Sequence, residues 1–284
     1  MSPKQNKFKN YIELMRLHRP IGIFLLLWPT WIALWLADEG FHSIKLWLVF
    51  TLGVIVTRSL GCVVNDLADR NFDPFVKRTQ SRPLAAQKVS VREALWLCFG
   101  LGVFAFILVC FTNFETFLLS WIALGLAVSY PFMKRYTHWP QVVLGAAFAW
   151  AIPMAYMAVQ TQLPVMCWIL FTATVIWAMA YDTLYAMTDR ADDIKLGVKS
   201  TAILWGNYDK AGVLASHLVT LGLYVLVGYF SELHVLFYGG VVIALGLALY
   251  EQWMIREREP QQCFNAFLHN NTIGAVLFLG VVFG

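Results

Sequence analysis

Nine times along this chain of 284 residues an apolar run recurs that is long enough to cross a lipid bilayer, and no other feature restricts the fold so tightly. The runs fall at 20–37, 44–65, 93–112, 115–132, 140–159, 164–186, 211–230, 234–254 and 265–284. About 20 helical residues cover the hydrocarbon core. Inside lipid, backbone N–H and C=O groups must be satisfied within the protein, and single segments achieve that only as helices. Composition points the same way. Only 13% of residues are charged and 59% are hydrophobic, whereas a soluble domain carries roughly 25% charged residues. Too few charges remain to coat a water-soluble surface, and a chain this apolar is not disordered. The expected fold class is an all-α membrane protein with nine transmembrane helices.

Basic residues test the count. The segment before the first run carries five lysines and arginines, 66–92 carries six, 133–139 two, 187–210 four and 255–264 two. These are alternate connections, so 19 of the 21 basic residues fall on one side; Lys45 stands alone on the other, and Arg58 lies within the second run. The positive-inside rule then predicts a cytoplasmic N-terminus, with the C-terminus outside. The first run follows a basic arm as a signal peptide would. It is 18 residues long and leads into Asp38-Glu39-Gly40 without a small-residue cleavage site, so a retained span is expected. Five dispersed cysteines and six dispersed histidines show no metal-ligand spacing and read as packing residues.

The two long connections on the basic side hold the chemistry. At the end of the second run stands Asn65-Asp66-Leu67-Ala68-Asp69-Arg70-Asn71-Phe72-Asp73. On a helix, Asp66, Asp69 and Asp73 share one stripe. At the end of the sixth run, Asp182, Asp189 and Asp193 again share a face, and Asp69-Arg70-x-x-Asp73 is repeated as Asp189-Arg190-x-x-Asp193. A single acidic stretch would pass for a solvated loop. Two matched stretches at equivalent helix ends imply an internal duplication that brings two carboxylate clusters face to face. Oxygen ligands without His or Cys select Mg²⁺ or Mn²⁺, and Mg²⁺ is commonly held by carboxylates together with substrate phosphates. A diphosphate held through metal between the clusters is therefore expected, with Lys77, Arg78, Arg82, Lys195, Lys199, Lys134 and Arg135 near enough in sequence to neutralise it. Arg58, two turns before Asp66 inside a span, requires a buried anion.

Asn65-Asp66-x-x-Asp69-x-x-x-Asp73 and Asp189-x-x-x-Asp193 resemble the two aspartate-rich motifs of the UbiA superfamily of intramembrane aromatic prenyltransferases. The resemblance extends to Arg16-Leu17-His18-Arg19-Pro20-Ile21-Gly22, Gly61-Cys62-Val63-Val64, Ser81-Arg82-Pro83-Leu84, Tyr130-Pro131-Phe132-Met133-Lys134-Arg135-Tyr136-Thr137 and Lys199-Ser200-Thr201-Ala202-Ile203-Leu204, and so to essentially the whole chain. It is strongest with the bacterial branch that prenylates 4-hydroxybenzoate. What it implies is a single domain, 1–284, whose nine helices surround a central lipid-accessible cavity. An arm at 1–19 and cap segments at 66–92 and 187–210 would lie on the cytoplasmic side of the bacterial inner membrane. The implied reaction is Mg²⁺-dependent transfer of a polyprenyl chain from its diphosphate to the carbon ortho to the acceptor's hydroxyl, in ubiquinone biosynthesis.

On that resemblance, Asp66, Asp69, Asp73, Asp189 and Asp193 are expected to hold Mg²⁺, with Asn65 as a polar neighbour and Asp182 and Asp192 further out. Arg70, Arg78, Lys134 and Lys199 are expected to neutralise the diphosphate and Tyr130 to donate a hydrogen bond to it. Arg135 is expected to receive the acceptor's carboxylate, with Arg58 and Arg16 as rivals, and Asp189 to take the phenolic or ring proton. Polyprenyl diphosphate, 4-hydroxybenzoate and the bilayer are the implied partners; neither nucleic acid nor an obligate protein partner is implied. The aspartates do not distinguish 4-hydroxybenzoate from dihydroxynaphthoate, homogentisate or haem as acceptor. An ion-coupled transporter would place its ionisable groups near the bilayer midplane, whereas these gather at one face.

Overall fold

The computed structural model describes residues 3–76 and 78–284, so Lys77 lies outside the described residues. Every regular element among them is helical. In chain order they are α1 (Pro3–Leu14), α2 (Ile21–Asp38), α3 (Ile44–Asp69), α4 (Val91–Val109), α5 (Phe114–Tyr136), α6 (Pro140–Ala149), α7 (Ala151–Gln160), α8 (Val165–Leu196), α9 (Thr201–Trp205), α10 (Asp209–Phe230), α11 (Val235–Met254) and α12 (Pro260–Phe283). Among the described residues nine helical segments are long and apolar enough to cross a membrane, with α6 and α7 counting as one and α9 and α10 as another. The break at Trp150 has a local cause: Pro153 has no N–H for the carbonyl four residues back.

Start and stop signals are conventional. Ser90 and Glu93 form a reciprocal capping box at the start of α4. Asn113 and Ser200 accept backbone N–H groups at the starts of α5 and α9. Gly197 ends α8 at φ 69°, a conformation glycine adopts without strain.

α8 is the central pillar, packed against α6, α10 and α12, while α2 packs against α7 and α12. Trp177, Tyr224 and Phe237 are fully buried in this half. α4 and α5 turn most of their surface outward, with Phe99, Phe106 and Trp121 exposed, as lipid-facing helices do. α12 carries Gly274 where a Cβ would stand 2.7 Å from Trp177 Cη2 and 2.9 Å from Trp28 Cγ. One turn back, Asn270 accepts the Trp177 indole N–H at 2.9 Å and Asn271 that of Trp28 at 2.9 Å. The asparagines that interrupt the last apolar run are thus the seats of two indoles.

Two expectations about helix ends need correction. α3 stops at Asp69, so Asp73 does not continue the stripe of Asp66 and Asp69; it opens a 3₁₀ turn, Asp73–Phe75. Pro74 bars the α-helix from continuing there, because it has no N–H to donate to the Arg70 carbonyl four residues back. α8 instead runs unbroken for 32 residues, through the whole second acidic stretch to Leu196. Residues 187–196 of the expected connection at 187–210 are therefore a helical extension of the sixth span.

Candidate active site

α3 and α8 end at the same side of the bundle and bring the two acidic stretches to one chamber of about 1000 Å³. Of the residues singled out from the sequence, Asn65, Asp66, Asp69 and Asp73 line it from the α3 side, and Asp182, Asp189 and Asp193 from α8. Arg16, Arg58, Arg78, Arg82, Tyr130, Lys134 and Lys199 line it as well. Farther in, the walls are apolar, built by Leu25, Leu144, Phe148, Phe264, Phe267 and Leu268.

Each cluster is held by bases from distant segments. Arg16 donates to both oxygens of Asp66, at 2.9 and 3.0 Å. Its backbone is left-handed, φ 59°, a strained state that a side chain accepts where the surroundings enforce it. Arg82 bridges Asp66 at 3.2 Å and Asp73 at 2.9 Å. Lys134 pairs with Asp69. Arg78 grips Asp189 with a bidentate fork, Nε donating at 2.9 and 3.0 Å and Nη2 joining Oδ2. Its guanidinium also lies 4.5 Å from the centre of the Tyr185 ring. Burial opposes the charges of Arg78 and Arg82, yet Tyr185 and the aspartates outweigh it and hold both above the ordinary arginine range.

Arg16 and Arg82 therefore carry more of the site than the sequence reading allowed. Arg16 stood there only as a rival for the acceptor, and Arg82 among the general basic neighbours. Their bonds to Asp66 span 50 and 16 residues, so neither pairing has a local signal.

Among the described residues no three acidic side chains converge as a ready-made metal cage; as they stand, the aspartates close on bases. Two observations nevertheless fit a divalent cation. Asp69 Oδ1 is buried without a hydrogen-bond partner. Burial pushes the Asp73 carboxyl above its ordinary range, and the charges of Asp66 and Asp69 add to the push against the pull of Arg82. An all-oxygen carboxylate set suits Mg²⁺, which brings its remaining ligands from water and phosphate.

The arginines of the repeated motif stand apart from the chamber. Arg70 is exposed and does not line the chamber. Its counterpart in the repeated motif, Arg190, turns away to donate to Asp209 at 2.7 Å and to the Gly206 carbonyl at 2.7 Å. Arg258 meets the same fully buried Asp209 at 2.8 Å, so this cluster fastens α8, α10 and the α11–α12 connection. Lys199 donates to the Tyr136 carbonyl at 3.2 Å.

The two candidate anchors for an acceptor carboxylate differ sharply. Arg135 is exposed, donates to the Ala68 carbonyl at 2.8 Å and stacks over Phe72 and Phe132, in a small hollow behind Lys134. Arg58 points into the chamber, donates only to Cys62 Sγ, and leaves its buried Nε without a partner. No carboxylate pairs with it among the described residues. Gly22 makes room for it: a Cβ there would stand 2.7 Å from Arg58 Nη2.

A membrane-spanning bundle with an acid–base rim above an apolar chamber defines an intramembrane enzyme that handles an anionic head group on an apolar body. Residues 26–273 match the UbiA prenyltransferase family, and the chain belongs to that family. It is 55% identical, over 96% of its own length and 91% of the relative's, to 4-hydroxybenzoate octaprenyltransferase of Hahella chejuensis. It is 52% identical to the Pseudomonas aeruginosa protein of the same name, over 96% and 92%. The fold matches a UbiA homologue from Aeropyrum pernix with a TM-score of 0.81 at 22% identity, covering 92% of this chain and 96% of that one. It also matches a homologue from Archaeoglobus fulgidus bound to GPP and Mg²⁺, with a TM-score of 0.73 at 18% identity over 96% and 99%.

Proposed function

We propose that this chain transfers a polyprenyl group from polyprenyl diphosphate to the ring carbon ortho to the hydroxyl of 4-hydroxybenzoate, releasing diphosphate, as a step of ubiquinone biosynthesis. We place the rim at the cytoplasmic face of the bacterial inner membrane, where the positive-inside rule puts it. The observation that carries the reading is the pairing of carboxylates with arginines and lysine at one end of a chamber whose inner walls are apolar. The names of relatives above 50% identity supply the acceptor.

In this reading Asp66, Asp69, Asp73, Asp189 and Asp193 hold Mg²⁺, which when bound supplies Lewis-acid neutralisation of the leaving diphosphate. Arg16, Arg78, Arg82 and Lys134 give the diphosphate oxygens donors already in place, with Tyr130 and Lys199 alongside. Preorganised donors stabilise charge as it develops without having to reorganise. The apolar walls receive the isoprenoid tail and keep water from the allylic cation. Arg58 binds the acceptor carboxylate, since a planar guanidinium matches a carboxylate in two parallel hydrogen bonds; it displaces Arg135 from that role.

Membranes containing the protein, given labelled 4-hydroxybenzoate and a polyprenyl diphosphate, are expected to move label into the lipid extract, and EDTA is expected to abolish the transfer. Absence of chelator-sensitive transfer would overturn this reading.

A further inference from the structure

Asp182 is a chamber carboxylate on α8 that the diphosphate machinery leaves over. It lies seven residues before Asp189 on α8, about 10 Å farther into the bundle at 1.5 Å per residue. Arg58 lies eight residues before Asp66 on α3, about 12 Å in by the same measure. The two side chains therefore lie at a similar depth beneath the rim, one on α3 and one on α8, and both line the same chamber. Among the described residues no ion pair joins the two. Gln141 lines the chamber with Asp182. Its Oε1 accepts the Thr201 backbone N–H at 3.1 Å, so its amide N–H₂ is the end left to donate. Asp189, the base expected from the sequence, is instead locked in the Arg78 fork at the rim.

We propose that Asp182 is the base that takes the phenolic proton of the acceptor. This rests on the reading of the chain as a 4-hydroxybenzoate prenyltransferase with Arg58 on the carboxylate. The acceptor's carboxylate and hydroxyl are para, at opposite ends of the ring. With its carboxylate on Arg58, the acceptor directs its hydroxyl to Asp182 at the same depth, and the ortho carbons lie beside the hydroxyl, where one edge turns toward the rim. The O–H proton passes to Asp182, and the phenoxide pushes an electron pair onto the ortho carbon. That pair forms the new bond to C1 of the isoprenoid as the C1–O bond breaks and its electrons leave with the diphosphate. The dienone so formed loses its ring proton to a diphosphate oxygen, and the Asp182 carboxylic acid returns its proton to the ring oxygen. Asp182 ends as it began.

The test compares two acceptors on the full-length protein: 4-hydroxybenzoate, and a ring-fluorinated analogue that keeps one ortho hydrogen and is already ionised at the assay pH. A general base contributes about 10²–10⁴-fold, so Asp182→Asn is expected to lower kcat on 4-hydroxybenzoate at least ~100-fold but on the ionised analogue less than ~5-fold, with the donor KM unchanged. Equal losses on both acceptors, or no loss on 4-hydroxybenzoate, overturn the proposal. Where Asp182→Asn does not fold, Asp182→Glu is read against the same pair: a loss confined to the un-ionised acceptor supports the assignment, and an equal loss or none overturns it. Wild-type protein that transfers to neither acceptor overturns the parent reading, and this proposal with it. Wild-type transfer with equal losses in the variant overturns this proposal alone.

Discussion

Arg58 and Arg135 show how burial separates two side chains of one chemistry. A solvated guanidinium that already serves a backbone carbonyl and two aromatic rings has little to gain from a substrate. One that is buried with an orphaned Nε has much to gain, because a charge-assisted hydrogen bond contributes about 1.5–3 kcal/mol. Arg58→Gln is therefore expected to raise the KM for 4-hydroxybenzoate by about 10- to 100-fold while the donor KM holds, and Arg135→Gln to change the acceptor KM by less than about 3-fold. Initial-rate measurements with each substrate varied in turn check both; a larger effect at Arg135 would reverse the assignment. At this scale the sequence showed which residues carry charge but not whom they meet. The aspartates stand out because their spacing is local to one helix turn or two. Arg78 and Asp189 are 111 residues apart, and no periodicity relates them.

Helices repay sequence reading better, because a span is a local property. All nine apolar runs became membrane-length helical segments, most with ends moved by a few residues. The helical face expected for Asp182, Asp189 and Asp193 is present, and only the end of the span lies beyond its expected place: α8 stays helical through its aspartates to Leu196. The contact between α12, α2 and α8 was hidden, since a glycine and two asparagines in an apolar run look like interruptions. There the close approach of two indoles demands the missing Cβ. Gly274→Ala is expected to destabilise the protein by about 1–3 kcal/mol, the usual cost of overpacking a well-filled core. Thermal unfolding in detergent would show it as a lower Tm, and an unchanged Tm would mean that the helices separate freely there.

Across the whole molecule the distribution of basic residues and the convergence of the acidic helix ends agree, since both select the same side of the bundle. Gln80 lies in the exposed segment on that side and Gln162 in the short connection on the other. On a background lacking the exposed Cys110, a membrane-impermeant maleimide applied to intact cells is expected to label Gln162→Cys. Gln80→Cys should react only after permeabilisation. Labelling in the reverse order would invert the protein in the membrane.

The closed ion pairs of the rim have one more consequence. Asp66, Asp69, Asp73 and Asp189 each hold a base before anything arrives, and only Asp69 keeps a buried oxygen open. A free cation admitted alone strands the arginines, and a free phosphate admitted alone strands the aspartates. Only a visitor that carries both signs at once, spaced so that metal replaces guanidinium while phosphate replaces carboxylate, leaves every partner in the exchange matched. The rim therefore rejects half-ligands by leaving a buried charge without its opposite, and it does so before the greasy tail below has been tested at all.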